Sequence, residues 1–305
     1  MCETLPRKYS RSKKKRKLRI SFLFTHLFVP LQAMKKSVVY ILLVCLMLVG
    51  CGKKGPQHVF THEVLLPMTP VKNQGKSELC WAYAMLATIE TEHIVRGDSV
   101  NLSAVYIGRM LDDYAASVLQ QRQSKQGAGV QAKRKGQRAM GVTLLNMLPT
   151  VGAMDYEVLP DDAPDDLATP SWVFMLGARY TPQEFAHSLV APDEYVALAC
   201  WPDSPYYKKV EVPTADNWEH NRLLNLPVDT LLKKTERAVR SGHPVCWESA
   251  GHAMAIVGIA HDENGKKYFV MKNSWGTDQP DSGLVYMSFS AFRKKTLAVE
   301  MLNEE

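Results

Sequence analysis

The stretch N-Q-G-K-S-E-L-C-W-A-Y-A, residues 73–84, decides how the rest of the chain is read. A polar, glycine-containing approach ends at Cys80, and small and aromatic apolar residues follow it. The run from Cys80 to Arg96 predicts a helix stopped by Gly97, which puts Cys80 at the positive end of that helix. A thiol is nucleophilic only as thiolate. Its ordinary pKa of about 8.5 leaves little thiolate at neutral pH, and a helix N-terminus lowers it. A buried cysteine heading a core helix is the plain alternative. Gln74 shifts the balance, because its side-chain amide could loop back beside the Cys80 backbone N–H and complete a pair of oxyanion donors. One such donor is typically worth about 2.7–4 kcal/mol of barrier.

A second device for ionising the thiol is an imidazole brought in from elsewhere in the chain. Of nine histidines, His93, His187 and His220 read as solvated rings, and His243 and His261 border turns. His252 alone opens a long apolar strand, H-A-M-A-I-V-G-I-A (252–260), after a tight S-A-G turn. The neighbouring strand V-M-K-N-S-W-G (270–276) ends in Asn273, an amide that can accept the imidazole Nδ1 proton and hold the ring's tautomer. Trp275 can roof that hydrogen bond and keep water off it.

Outward from these residues the chain divides by texture. Ser103 is the expected cap of a helix through about Gln121. Residues 123–138 form a basic, glycine-punctuated loop whose charge reads as solvated surface. G-V-T-L-L-N-M-L restarts a helix at Gly141 that ends near Gly152. Thr181-Pro182-Gln183-Glu184 is a capping box with proline at the first helical position. Strands are expected at 195–201, 208–212, 244–248, 252–260, 267–273 and 283–287, with an amphipathic helix from Val228 to Arg240 and a D-E-N-G hairpin turn at 262–265. Helices first and strands afterwards argue an α+β fold of two lobes, about 74–160 and about 170–302, with a cleft between them.

The formal charge of +6 invites a polyanion-binding reading, but it is concentrated in the first 33 residues, which hold nine Lys/Arg against Glu3. From Cys51 onward the balance is 26 basic to 30 acidic residues. That excludes nucleic acid as the expected partner. Met34-Lys35-Lys36 and the apolar run 37–50 make a signal segment too short to span a bilayer. L-V-G-C at 48–51 resembles the bacterial lipobox, which implies lipidation of Cys51 and a location in the cell envelope, with membrane contact through that anchor only. Residues 1–33 read as a mis-called start, 34–50 as the lipoprotein signal, 51–62 as a tether and 63–305 as the functional domain. Cys80, Cys200 and Cys246 remain, too few for a disulfide framework. Cys200 and Cys246 could pair, but both sit in apolar strand-like runs that favour free thiols.

Taken in order, Q-G-x-x-x-x-C-W, then H-A-M, then N-S-W-G resemble the papain-like cysteine peptidases, over Pro70 to about Leu302. The resemblance implies a two-lobed fold with a helical N-terminal lobe and an antiparallel β-rich C-terminal lobe. It further implies Cys80 as nucleophile, His252 as general base and acid, Asn273 as the orienting residue and Gln74 as oxyanion donor, acting on a peptide or protein without cofactor or metal. Ser77 stands where secreted relatives carry a disulfide cysteine. N-Q-x-x-S-x-x-C-W, with T-P-x-E-F (181–185) and N-x-P-V-D-x-L-L (225–232), resembles the bleomycin hydrolase and aminopeptidase C branch. No long C-terminal arm of the kind that makes that branch an exopeptidase is evident. Met140 and Gly141 align with the family's substrate-facing glycines, and Glu78 and Trp275 are further substrate-side residues. The short S-A-G connection implies an open primed side. Acyl transfer on the same triad and a non-catalytic papain-like binding module are the alternatives to hydrolysis.

Overall fold

A computed structural model of the chain describes residues 59–126, 136–175 and 177–303. The doubtful extension, the signal segment, Cys51 and the tether as far as His58 lie outside the described residues, as do residues 127–135 of the basic loop. The tether ends sooner than expected, because Thr61–Leu65 is strand β1. Its sequence T-H-E-V-L is largely exposed and holds no apolar run. Backbone pairing, not side-chain burial, makes it a strand.

Helix α1 (Cys80–Val95) is buried continuously from Cys80 to His93, apolar all round as far as Ala87 and carrying buried Glu90, Glu92 and His93 in its second half. It ends two residues before Gly97, whose φ of 98° carries the chain away. Helix α2 (Ala104–Gln126) runs past the expected Gln121. Its cap is Ser103, whose hydroxyl accepts the Tyr106 N–H at 3.0 Å. Helix α3 (Gly141–Val151) stops at Gly152. Trp81, Met85, Ile107, Leu144 and Met147 pack these helices together. A small hairpin, β2 (Val173–Met175) and β3 (Ala178–Tyr180), leads into α4 (Pro182–Leu189). The capping box there is reciprocal, with Glu184 N–H on the Thr181 hydroxyl and the Glu184 carboxylate on the Thr181 N–H.

The second half contains β4 (Tyr195–Ala199), β5 (Lys209–Glu211), β6 (Arg222–Asn225), α5 (Val228–Arg240), β7 (Val245–Ser249), β8 (His252–His261), β9 (Lys267–Lys272), β10 (Leu284–Ser288), α6 (Phe289–Lys295) and β11 (Ala298–Leu302). Among the described residues they join β1 in a nine-stranded sheet of order β10-β9-β8-β7-β11-β4-β6-β5, with β1 on β8. All pairings are antiparallel except β4 with β6. Strand alternation sorts the two faces. Val245 and Trp247 of β7 meet Leu231 and Val239 of α5 and Phe292 of α6, while Cys246 joins the cluster around α1. The result is an α+β architecture with helical and β-rich halves.

Candidate active site

Three local pairings assemble the site. Ser249 pairs with His252 across the Ala250–Gly251 turn, where Gly251 takes φ 109°. That closure fixes His252 at the head of β8. The segment Lys72–Gln74 lies against Ser274–Gly276: the Gln74 N–H donates to the Ser274 carbonyl at 2.8 Å and the Gly276 N–H to the Lys72 carbonyl at 3.0 Å. The approach to Cys80 is thereby tied to the turn that carries Asn273. Finally, α1 packs under β8, with Cys80 and Ala253 in one buried cluster.

His252 Nε2 lies 2.8 Å from Asn273 Oδ1. The same oxygen accepts the Ser274 backbone N–H at 2.9 Å, so the amide presents its acceptor to the ring and Nε2 must be the donor. The expectation that Asn273 takes the Nδ1 proton is corrected. Asn273 stands beyond the end of β9 and meets the far edge of the ring, which leaves Nδ1 unengaged by the amide. The Trp275 ring stacks on His252 with centroids 5.1 Å apart and planes at 22°. Half of Trp275 is exposed, so it covers the imidazole as a roof.

Cys80 is almost fully buried, at 2% exposure. The Arg138 guanidinium acts on its thiol as a positive charge. Burial pushes the thiol pKa up, opposed chiefly by the positive charge of Arg138. Burial also pushes the His252 pKa down, opposed by the hydrogen bond to Asn273 and reinforced by Arg138. Desolvation therefore favours the neutral form of each group. Gln74 is held at both ends of its amide, accepting from the Ser274 hydroxyl and donating to the Ser77 carbonyl at 2.7 Å. One N–H of its amide remains for a ligand.

The substrate-side residues need correction. Met140 is fully buried among Ala199, Val212, Leu223 and Ala298, as core of the β-rich half. Gly141 does not offer its amide to a peptide, because its N–H donates to the Glu248 carboxylate. A Cβ at Gly141 would lie 2.7 Å from Glu300 Oε2 and 3.1 Å from Cys246 Sγ, so glycine is needed for this close approach. Glu78 is exposed and is felt by Asp216. Cys200 and Cys246 are both free, and only Cys246 is fully buried.

Around Gly141 a second polar cluster appears that the sequence reading missed. Cys246, Glu248 and Glu300 bring a thiol and two carboxylates within 4.8 Å of one another, all buried. Glu300 pairs with Cys246 across β11 and β7. Helix α3 has no side-chain cap at Met140; its first N–H, on Gly141, instead meets Glu248, while both Glu300 carboxylate oxygens are buried without a hydrogen-bond partner. Burial pushes Glu248 up to about 7 and Glu300 well above the usual carboxylate range. Strand period was the available signal, since Cys246 and Glu248 share the face of β7 that turns toward α1.

Arg138 was missed more completely. It stands at the end of a basic loop expected to be solvated, yet only 10% of its side chain is exposed, and Nη1 lies 3.2 Å from Asp216 Oδ2. No feature of the loop's charge run distinguishes this arginine from its neighbours.

With the fold and site described, comparison with known proteins shows what the chain is similar to. Over 90% of this chain the fold matches PepW from Lactobacillus rhamnosis HN001, covering 91% of that chain with a TM-score of 0.62 at 16% identity. Residues 205–301 match the papain family cysteine protease model. Ananain of Ananas comosus is 23% identical over 226 residues, 72% of this chain and 52% of ananain. Fruit bromelain of the same plant is 34% identical over 70 residues, 21% of this chain and 19% of its own. The chain spans about half the length of ananain. It is a papain-like protein by fold, similar in sequence to the cysteine proteases of that family.

Proposed function

We propose that the protein is a cysteine-type peptidase with Cys80 as nucleophile. The observation that carries this reading is the His252–Asn273 hydrogen bond at 2.8 Å, beside a thiol heading a buried helix. His252 takes the thiol proton, and the thiolate sulfur attacks a peptide carbonyl carbon. The carbonyl oxygen gains the negative charge and is met by the remaining Gln74 N–H and the Cys80 N–H, which no helical carbonyl accepts. As the C–N bond breaks, His252 delivers its proton to the departing amine. Water then adds to the thioester with His252 as base, the C–S bond breaks, and the thiol is restored. Asn273 holds the imidazole throughout.

The finer reading is a lipid-anchored bacterial envelope peptidase of the bleomycin hydrolase and aminopeptidase C branch, acting on peptides or proteins. Ser77, T-P-Q-E-F at 181–185 and L-V-G-C at 48–51 support it. Cys80→Ala is expected to lower cleavage of a panel of short peptides, free and N-blocked, by about 10⁴-fold or more. It should also abolish labelling by a thiol-directed epoxide. A variant that still cleaves and still labels rejects the assignment.

A further inference from the structure

Next to the turn that carries His252 stands a charged group for which the proposed Cys80–His252–Asn273 mechanism has no role. We propose that Arg138 is a further catalytic residue, a guanidinium held against the nucleophile that carries the positive charge facing the Cys80 thiolate. The inference rests on the reading of Cys80 as nucleophile.

The geometry supports it from three sides. The Arg138 side chain is nine-tenths buried, and Asp216 holds it as an ion pair. Nη1 stands 4.0 Å from the position a Cβ would take on Gly251, the residue before His252. The Arg138 charge also acts on the Cys80 thiol, so Arg138 stands beside the turn that carries the base and within electrostatic reach of the sulfur. Nε and Nη1 are nevertheless buried with no hydrogen-bond acceptor. A buried cation with unused donors is costly to keep, and a nearby anion relieves that cost.

The groups around Cys80 leave few candidates for the anion. Asp216 is already paired with Arg138 and also feels Glu78. Glu248 also feels the Arg138 charge, but it accepts the Gly141 N–H and burial, the larger effect, holds it toward its protonated form. Cys246 and Glu300 lie beyond it, both driven neutral by burial. His252 faces Asn273 with one nitrogen and, like Arg138, cannot be the anion. The sulfur of Cys80 remains. Unlike an imidazolium, a guanidinium keeps its charge across the whole working pH range. A thiolate beside it survives after His252 has lost its proton, so ionisation of the nucleophile is uncoupled from the protonation state of the base.

The test is the pH dependence of Cys80 alkylation by iodoacetamide in the full chain, followed by mass spectrometry of the Cys80 peptide between about pH 5 and 10. Thiolate displaces iodide without any peptide being cleaved, so this readout stands apart from turnover. A protein that alkylates as expected but cleaves nothing refutes the peptidase reading and leaves this inference intact. In Arg138→Met the alkylation midpoint should rise by about one unit or more, a roughly tenfold loss of rate below it. Arg138→Lys should restore most of that shift, and Asp216→Asn should move the midpoint down. His252→Ala should move it less than Arg138→Met does. A midpoint unmoved in Arg138→Met, or moved further by His252→Ala, overturns the proposal. If Arg138→Met does not fold, Asp216→Asn decides: a fall supports the pairing and an unchanged midpoint refutes it.

Discussion

At the scale of single residues, Gln74 shows how function and local folding share one side chain. Its amide oxygen is occupied by Ser274 and one N–H by Ser77, so the remaining N–H is aimed by bonds that a smaller residue would lose. Gln74→Ala is expected to lower kcat by about 10²–10³-fold with KM little changed, as measured by steady-state kinetics on the best peptide of the panel. Glu248 makes a different prediction. Its carboxyl is raised to about 7 in the folded protein, against about 4.3 for an unfolded glutamate. The folded state therefore binds the proton more tightly, and stability is fully present below the unfolded pKa and lost as pH rises through about 7. Glutamine keeps an acceptor for the Gly141 N–H without the charge. Thermal melts of Glu248→Gln and wild type should be alike near pH 4, diverge between about pH 4.5 and 7, and level off with the variant the more stable.

At the scale of elements, helix α1 and strand β9 are joined by a buried charge cluster below the catalytic groups. Glu90 of α1 is fully buried, its carboxylate bonded to Lys72 and Thr69 and 3.7 Å from Lys272. Burial raises the Glu90 pKa, but Lys72 and Lys272 together bring it below the usual range, while burial takes Lys272 down to about 8. Lys272 immediately precedes Asn273, so this cluster sets where the helix and the orienting amide stand relative to each other. Glu90→Gln leaves two buried ammonium groups without their carboxylate and should cost about 3–5 kcal/mol in urea denaturation. A change below about 1 kcal/mol would show the cluster to be dispensable.

The same scale explains what could be read in advance. Strands β7, β8 and β9 are apolar runs bounded by Gly and turn residues, and α4 announces itself by its cap; all were legible. Strand β6 has four residues, R-L-L-N, and β1 is mostly exposed, so neither offers a hydrophobic period to detect. His93 was read as a surface ring, yet it is buried against Asp98 and the Leu189 carbonyl, partners 5 and 96 positions away in sequence. Cys80, His252 and Asn273 could be placed on the fold in advance because each sits at or just beyond an element's end in a distinctive local run. Arg138 and Asp216 could not, because an ion pair between two loops leaves no periodic trace. Glu300 was hidden for the opposite reason: a single carboxylate in a short apolar strand looks like an edge position, whereas β11 lies between β7 and β4.

For the molecule as a whole, the helical and β-rich halves account for residues 59–303 where described, and no helix among those residues is long and apolar enough to cross a membrane. The proposed attachment rests on Cys51, ahead of the first described residue. Feeding an expressing bacterium a radiolabelled fatty acid should label the wild-type chain and not Cys51→Ala. Label in both would remove the lipoprotein reading without touching the peptidase.

Strand β1 gives this a geometric side. Thr61 pairs with His261, and Leu65 with Gly258, so the incoming chain meets β8 at the end opposite His252. Nine steps of about 3.3 Å along that strand put roughly 30 Å between the entry point and the imidazole. A bead, a fluorophore or a bilayer grafted ahead of Thr61 would hold the protein by the end of β8 farthest from the imidazole.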